Sequence, residues 1–215
     1  MNKLMITGGL GYIGSQVALR AMELGYSCIL VDNLSNSVPH TLLKLQAFSK
    51  NRLKFYECDI RDRSGLDKIF RKHAINTVIH CAGLKSITES IDKPELYISN
   101  NVEGSFTLFD SMQKYNVNRC IFSSSATVYG EPEYLPIDEN HPISPVSPYG
   151  WSKVQVESKL REICDNESSW SSLVLRYFNP IGAHSGGIIG ERPQGIPSNL
   201  MPIFVRLPTE IKVNC

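Results

Sequence analysis

Tyr149 and Lys153 stand four residues apart, a spacing that puts a phenol and an ammonium on one face of a helix. A phenol ordinarily ionises near pH 10. A cation about 4 Å away, at an effective dielectric near 20, is worth about 4 kcal/mol, or roughly three pH units. The pair therefore predicts a phenol tuned toward neutrality, able to take a proton from a hydroxyl and return it. Ser125 ends the run Phe122-Ser123-Ser124-Ser125 and is placed to hold the same hydroxyl by a hydrogen bond. Taken alone the spacing is common, and a half-exposed tyrosine beside a solvated lysine is the plain alternative. The setting gives it weight.

That setting begins with Gly8, Gly11 and Gly14, which follow the apolar run Leu4-Met5-Ile6-Thr7 at intervals of three. Apolar residues at Ile13, Val17, Ala21 and Leu24 then mark a helix. A strand, a glycine turn and a helix N-terminus bring bare backbone and unpaired N–H groups to a pyrophosphate. Asp32 closes the next run, Cys28-Ile29-Leu30-Val31, where a carboxylate accepts both hydroxyls of an adenosine ribose. The residues after it, Asn33, Leu34, Ser35, Asn36 and Ser37, include no cation to receive a 2′-phosphate. The expected cofactor is NAD rather than NADP.

The elements that position these residues follow from periodicity. Strands are predicted over 3–7, 27–32, 53–59, 77–81, 119–123 and 172–176, with helices near 11–24, 64–72, 94–116 and 149–165. The third helix carries a stripe of Ile98, Val102, Phe106, Phe109 and Met112. This alternation predicts an α/β fold, a doubly wound parallel sheet covered on both faces. Ligands in such a sheet bind beyond the carboxyl ends of the strands, which directs attention to Asp59, Gly83–Lys85, Ser123–Ser125 and 177–179. The proline-rich stretch 131–148 reads as an ordered loop over the sheet, and 182–197 as a binding loop or the entry to a second lobe.

With 215 residues, 42% of them hydrophobic, the chain can bury a sizeable core. A net charge of +1, with its cations scattered, points to neither nucleic acid nor an anionic membrane. No apolar run has the length of a membrane span, and Met1-Asn2-Lys3 leads directly into the first strand, so a cytoplasmic protein is expected. The six cysteines (28, 58, 81, 120, 164 and 215) are never close neighbours, which excludes C-x-x-C metal and redox patterns. No metal site is expected.

Several strings together resemble the extended short-chain dehydrogenase/reductases and, among them, the UDP-glucose 4-epimerase family. They are Thr7-Gly8-Gly9-Leu10-Gly11-Tyr12-Ile13-Gly14, Asp32-Asn33-Leu34, His80-Cys81-Ala82-Gly83-Leu84-Lys85, Ser123-Ser124-Ser125-Ala126-Thr127, Ser147-Pro148-Tyr149-Gly150 with Lys153, Arg176-Tyr177-Phe178-Asn179-Pro180, and Gly195-Ile196-Pro197-Ser198-Asn199-Leu200-Met201-Pro202. The resemblance implies that Tyr12, Ile13, Asp32 to Ser37, Asp59, Ile60, Cys81 to Lys85 and Asn100 line NAD. It implies that Lys153 holds the nicotinamide ribose, that Ser125 and Tyr149 meet the reacting sugar hydroxyl, and that Phe178, Asn179, Asn199 and Leu200 touch the sugar nucleotide.

The implied reaction interconverts UDP-glucose and UDP-galactose by reversible oxidation at C4, with NAD retained. A homodimer through the helices at 94–116 and 149–165 is implied by the family alone. A related class, the 4,6-dehydratases, carries an Asp-Glu pair where this chain has Ala126-Thr127, so elimination of water would lack its proton donor. A simple reductase using a free cofactor pool, or an NAD-binding fragment with impaired catalysis, remains open. The expected organisation is an NAD-binding Rossmann domain over 1–180 and, over 181–215, the start of a smaller substrate lobe that is largely missing. The family pattern is expected to stop near Pro202.

Overall fold

A computed structural model describes residues 2–191. Strands β1 (Lys3–Thr7), β2 (Ser27–Asp32), β3 (Leu53–Glu57), β4 (Thr77–His80), β5 (Arg119–Ser125) and β6 (Ser171–Tyr177) form one sheet in the order β3-β2-β1-β4-β5-β6. Every pairing is parallel. The strand order reverses between β1 and β4, which opens a crevice at their carboxyl ends. The doubly wound expectation holds.

The helices are α1 (Tyr12–Glu23), α2 (Pro39–Phe48), α3 (Arg63–Lys72), α4 (Ile87–Asp92), α5 (Pro94–Tyr97), α6 (Gly104–Lys114) and α7 (Pro148–Asn166). Successive strand residues point to opposite faces. Met5, Ile29 and Val31 therefore join Leu66, Phe109, Phe122 and Leu160 in a core beneath α3, α6 and α7. Ile6 and Leu30 join Leu19 and Leu45 beneath α1 and α2. Fully burying a side chain such as Leu108 or Phe109 stabilises by about 1.5–3 kcal/mol.

The single helix expected over 94–116 is instead α5, a π-helical segment Ile98–Glu103, and α6. The wider turns delay the rotation of the chain, so the inward stripe changes. Ile98 is exposed and Phe106 half-buried, while Tyr97, Asn101, Ser105 and Leu108 turn inward beside Val102, Phe109 and Met112. The sequence reading placed no helix at α2 or α4. Only Leu45 of α2 is buried, and α4 is a six-residue helix capped by Ser86, so neither shows a strong apolar period.

β5 runs past the expected Ser123 because Ser124 and Ser125 pair with Arg176 and Tyr177 of β6. The 131–147 stretch is an ordered loop, as expected. The buried ring of His141 accepts Glu133 N–H at 2.9 Å through Nε2 and packs between Tyr129 and Tyr134. The described part of the 182–197 stretch lies against α1, where Tyr12 Oη donates to Gly182 O at 2.6 Å and Gln16 Nε2 to Ile189 O at 2.9 Å.

Candidate active site

The glycine turn is built by close approach. Gly8 has φ +63°, and a Cβ there would lie 2.7 Å from Ala82 N. A Cβ on Gly14 would lie 2.2 Å from Gly8 O, so strand, turn and helix pack backbone to backbone. Gly11 caps α1 without a side-chain hydrogen bond, and the first turn of the helix holds no acidic residue. The first amides, at Tyr12, Ile13 and Gly14, have no acceptor inside the helix. This bare cradle fits the pyrophosphate of a dinucleotide.

Asp32 is buried at the end of β2, and its carboxylate is already occupied in part. Oδ2 accepts Leu10 N–H at 3.0 Å, while Oδ1 accepts Leu34 N–H at 3.0 Å and Ser37 Oγ–H at 2.8 Å. A carboxylate has about four acceptor positions, so room remains for a hydroxyl. Asp32 thus fixes both the glycine turn and the 33–37 loop, a role the sequence reading did not assign to it.

In that loop Leu34 is left-handed at φ 59°, Ser35 bonds the side chain of Asn33, and Asn36 is exposed. Asn33 Nδ2 donates to Asp59 Oδ2 at 2.8 Å. Arg61 grips both oxygens of Asp59 and holds that carboxyl well below the usual carboxylate range. The fold therefore does bring a cation to this end, but its guanidinium is already bidentate on Asp59. Ile60 is buried, and a Cβ on Gly104 would come within 2.8 Å of its Cδ1.

Cys81, Ala82, Gly83, Leu84 and Lys85 follow β4 into the crevice. Asn101 clamps this loop, accepting Leu84 N–H at 2.8 Å and donating to Leu84 O at 2.9 Å. Asn100, the neighbour singled out from the sequence, is half-buried and donates to Asn101 Oδ1 at 2.9 Å. Beneath the loop, His80 bridges Thr7 Oγ1 at 2.7 Å and Ser105 Oγ at 2.8 Å. Burial holds this imidazole neutral, with its pKa pushed down to about 3. Nothing in the sequence pointed to Asn101 or His80 as the supports of the crevice.

Ser147 caps α7, accepting Gly150 N–H at 3.1 Å, and Pro148 occupies the first turn. This start puts Tyr149 and Lys153 on the inner face, both buried. Tyr149 shares a hydrogen bond with Ser125 and packs edge-on against Tyr97, with ring centroids 6.3 Å apart. The Ser125 hydroxyl also receives Thr127 N–H at 3.2 Å. Lys153 Nζ donates to Ser123 O at 2.9 Å and lies 4.9 Å from the centre of the Phe122 ring.

One expectation is corrected here. The phenol of Tyr149 is shifted up from its ordinary value, not down, because burial outweighs the hydrogen bond from Ser125. Lys153 lies 5.7 Å from the tyrosine ring centre and is turned to the Ser123 carbonyl. Burial of the ammonium instead pushes its own pKa down to about 8.

At the end of β6, Arg176 pairs with Glu157 at 2.8 Å, and both side chains are largely buried. Phe178 is exposed but lies beside the Tyr129 ring, with centroids 6.5 Å apart, and Asn179 is exposed. Asn199 and Leu200 lie outside the described residues. Among the described residues, no group of His, Cys, Asp and Glu is arranged to hold a metal ion. No described helix is long and apolar enough to cross a membrane.

A family model described as "NAD dependent epimerase/dehydratase family" matches residues 4–210. The chain belongs to this family. The match runs past Pro202, where the sequence reading ended the resemblance. UDP-glucose 4-epimerase of Mus musculus is 46% identical over 209 residues, covering 94% of this chain and 60% of that protein. The Bacillus subtilis enzyme of the same name is 46% identical over 204 residues, covering 95% and 60%. UDP-glucose 4-epimerase from Bifidobacterium longum, solved with NAD+ and UDP, superposes with a TM-score of 0.90 at 42% identity, again covering 94% of this chain and 60% of that one. The chain thus spans about 60% of the length of these epimerase relatives.

Proposed function

We propose that this chain carries the cofactor and proton-transfer half of a UDP-glucose 4-epimerase, acting on UDP-glucose and UDP-galactose with NAD held in the crevice. Residues 1–180 are read as the NAD-binding domain and 181–215 as the start of a substrate lobe. The observation that carries this reading is the convergence of Tyr149, Ser125 and Lys153 at the crevice that the glycine turn opens.

The α1 amides of Tyr12, Ile13 and Gly14 would take the pyrophosphate, and Asp32 the adenosine ribose. Asn33 to Ser37, Asp59, Ile60, Cys81 to Lys85 and Asn100 would complete the cradle, and Phe178 and Asn179 the sugar side. NAD, when bound, supplies the hydride acceptor and a fixed positive charge in its ring. Tyr149 would move the proton of the sugar C4 hydroxyl, with Ser125 orienting that hydroxyl.

In the protein alone the phenol holds its proton firmly, since burial raises it. A buried phenol responds strongly to any cation placed beside it in a low dielectric. Lys153, within the site and still an ammonium at pH 7 although burial lowers its pKa, would steady the ribose rather than set the phenol alone. The location is read as cytoplasmic, with a homodimer through the face of α6 and α7.

The test is conversion of UDP-galactose by NAD-loaded protein, beside calorimetric titration of UDP-glucose. The expected outcome is saturable binding, with turnover that falls at least 100-fold in Tyr149→Phe. Equal rates in the two proteins would remove Tyr149 from the chemistry. NAD binding without saturable UDP-glucose binding would reduce the function to a dinucleotide cradle.

A further inference from the structure

Glu157 stands one helical turn beyond Lys153 on the inner face of α7, so Tyr149, Lys153 and Glu157 form a single line along the helix. Among the nine described ion pairs, Glu157–Arg176 is the most buried, at 8% and 16% side-chain exposure. The Glu157 carboxylate accepts from three donors on two other elements. Ser124 Oγ of β5 donates to Oε1, Arg176 Nε of β6 donates to Oε1 at 3.2 Å, and Arg176 Nη2 donates to Oε2 at 2.8 Å. Arg176 then reaches on, donating from Nη1 to Tyr129 Oη at 2.9 Å with its guanidinium carbon 4.9 Å from that ring centre.

The neighbours of these anchors are the site itself. Ser124 lies between Ser123, whose carbonyl holds Lys153, and Ser125, which meets Tyr149. Arg176 precedes Tyr177 and Phe178, and Tyr129 stacks on Phe178. A buried ion pair often adds little net stability over apolar side chains of the same size, so what this one supplies is geometric: it fixes α7 against β5 and β6.

We propose that Glu157 is a positioning residue that locks the lysine-bearing helix to the serine strand and to the β6 exit, thereby setting where the Lys153 ammonium stands. The inference deepens the reading of the site as a nicotinamide and sugar pocket. A charge effect accompanies the geometry. The groups facing Lys153 are Cys81 at the end of β4, neutral His80 beneath it, Tyr149 and Glu157 on its own helix, and the carbonyl of Ser123 on β5, a residue whose side-chain hydroxyl is hydrogen-bonded to Tyr177 of β6. Cys81 and, after it, Glu157 are the groups that raise the Lys153 pKa against burial. Removing the Glu157 charge while leaving Arg176 in place therefore favours the neutral amine.

The experiment compares wild type, Glu157→Gln and Glu157→Asp as full chains. Lys153 is followed by 13Cε NMR titration, its resonance assigned by its loss in Lys153→Met. Binding of NAD and of ADP, which carries only the adenosine half, is measured by calorimetry. In Glu157→Gln the lysine midpoint should fall by about one pH unit and NAD affinity about tenfold, with ADP affinity within twofold of wild type. Glu157→Asp should recover most of both effects.

Equal weakening of NAD and ADP would mark a merely structural role and overturn the inference, as would an unmoved lysine midpoint. If wild type binds neither ligand, the cofactor reading fails, and the lysine titration still decides the role of Glu157. Should Glu157→Gln not fold, Arg176→Lys loosens the same lock while keeping both charges. NAD affinity should then fall at least threefold with ADP affinity within twofold of wild type, and unchanged NAD affinity, or equal weakening of both ligands, would overturn the assignment to Glu157.

Discussion

The two ends of the crevice are built on opposite physical terms. At the glycine-turn end, backbone meets backbone, and the groups left open are the first amides of α1 and part of the Asp32 carboxylate. Gly8 and Gly14 close the turn, and Asp32 holds three donors within its own neighbourhood. At the end that carries Tyr149 and Lys153, an ammonium and a phenol are buried against their solvation preference, with pKa values displaced accordingly. The first end is held by close backbone contact, and the second gives up stability to bury a charge.

The largest expected effect breaks the first end. Gly8→Ala forces a side chain into the left-handed region and against the Ala82 backbone, which should cost about 3 kcal/mol in urea unfolding and abolish ADP binding. A loss under 1 kcal/mol would show that the turn is not held by close approach.

The next effect has the opposite sign and tests the second end. Burial pushes the Lys153 pKa down to about 8, against 10.5 for an ordinary lysine, so its ammonium is expected to oppose folding by about 3 kcal/mol at pH 7. Below about pH 8 both states carry the proton and this penalty is complete. Between pH 8 and 10.5 the unfolded chain binds more protons, so stability from this group rises with pH, and above 10.5 the penalty is gone. Lys153→Met removes the charge and one hydrogen bond worth about 1 kcal/mol, and should stabilise the protein by about 2 kcal/mol at pH 7. The gap from wild type should shrink above pH 8 and change sign by about pH 10.5, where only the lost hydrogen bond remains. A destabilised variant at pH 7 would remove the contrast between the two ends.

The smallest effect sharpens the account of Asp32. Asp32→Asn keeps an acceptor for two of the three donors and should cost about 1 kcal/mol, with ADP affinity falling about tenfold. ADP affinity unchanged would confine Asp32 to holding the loop.

The sequence was readable where structure is local. The strand, glycine turn and helix from Lys3 to Glu23 follow from nearest neighbours, and Ser147-Pro148 announces the helix that carries Tyr149 and Lys153. The inward face of residues 97–108 was not readable, because a π-helical segment changes the rotation of a helix without leaving a distinct apolar period. The supports of the crevice were not readable either. His80, Asn101 and Glu157 act through partners 17 to 73 residues away in sequence, and a pattern reader sees only ordinary polar residues.

What the sequence determined by itself is therefore the alternation of strands and helices, the glycine turn, and the list of side chains capable of the chemistry. These depend on steric freedom, hydrophobic period and reference acidity, all properties of a residue and its close neighbours. The tertiary structure alone decided which charges are buried, and hence that the phenol is raised and the ammonium lowered. Desolvation is set by everything packed around a group, and the chain assembles that surrounding from segments far apart along its length.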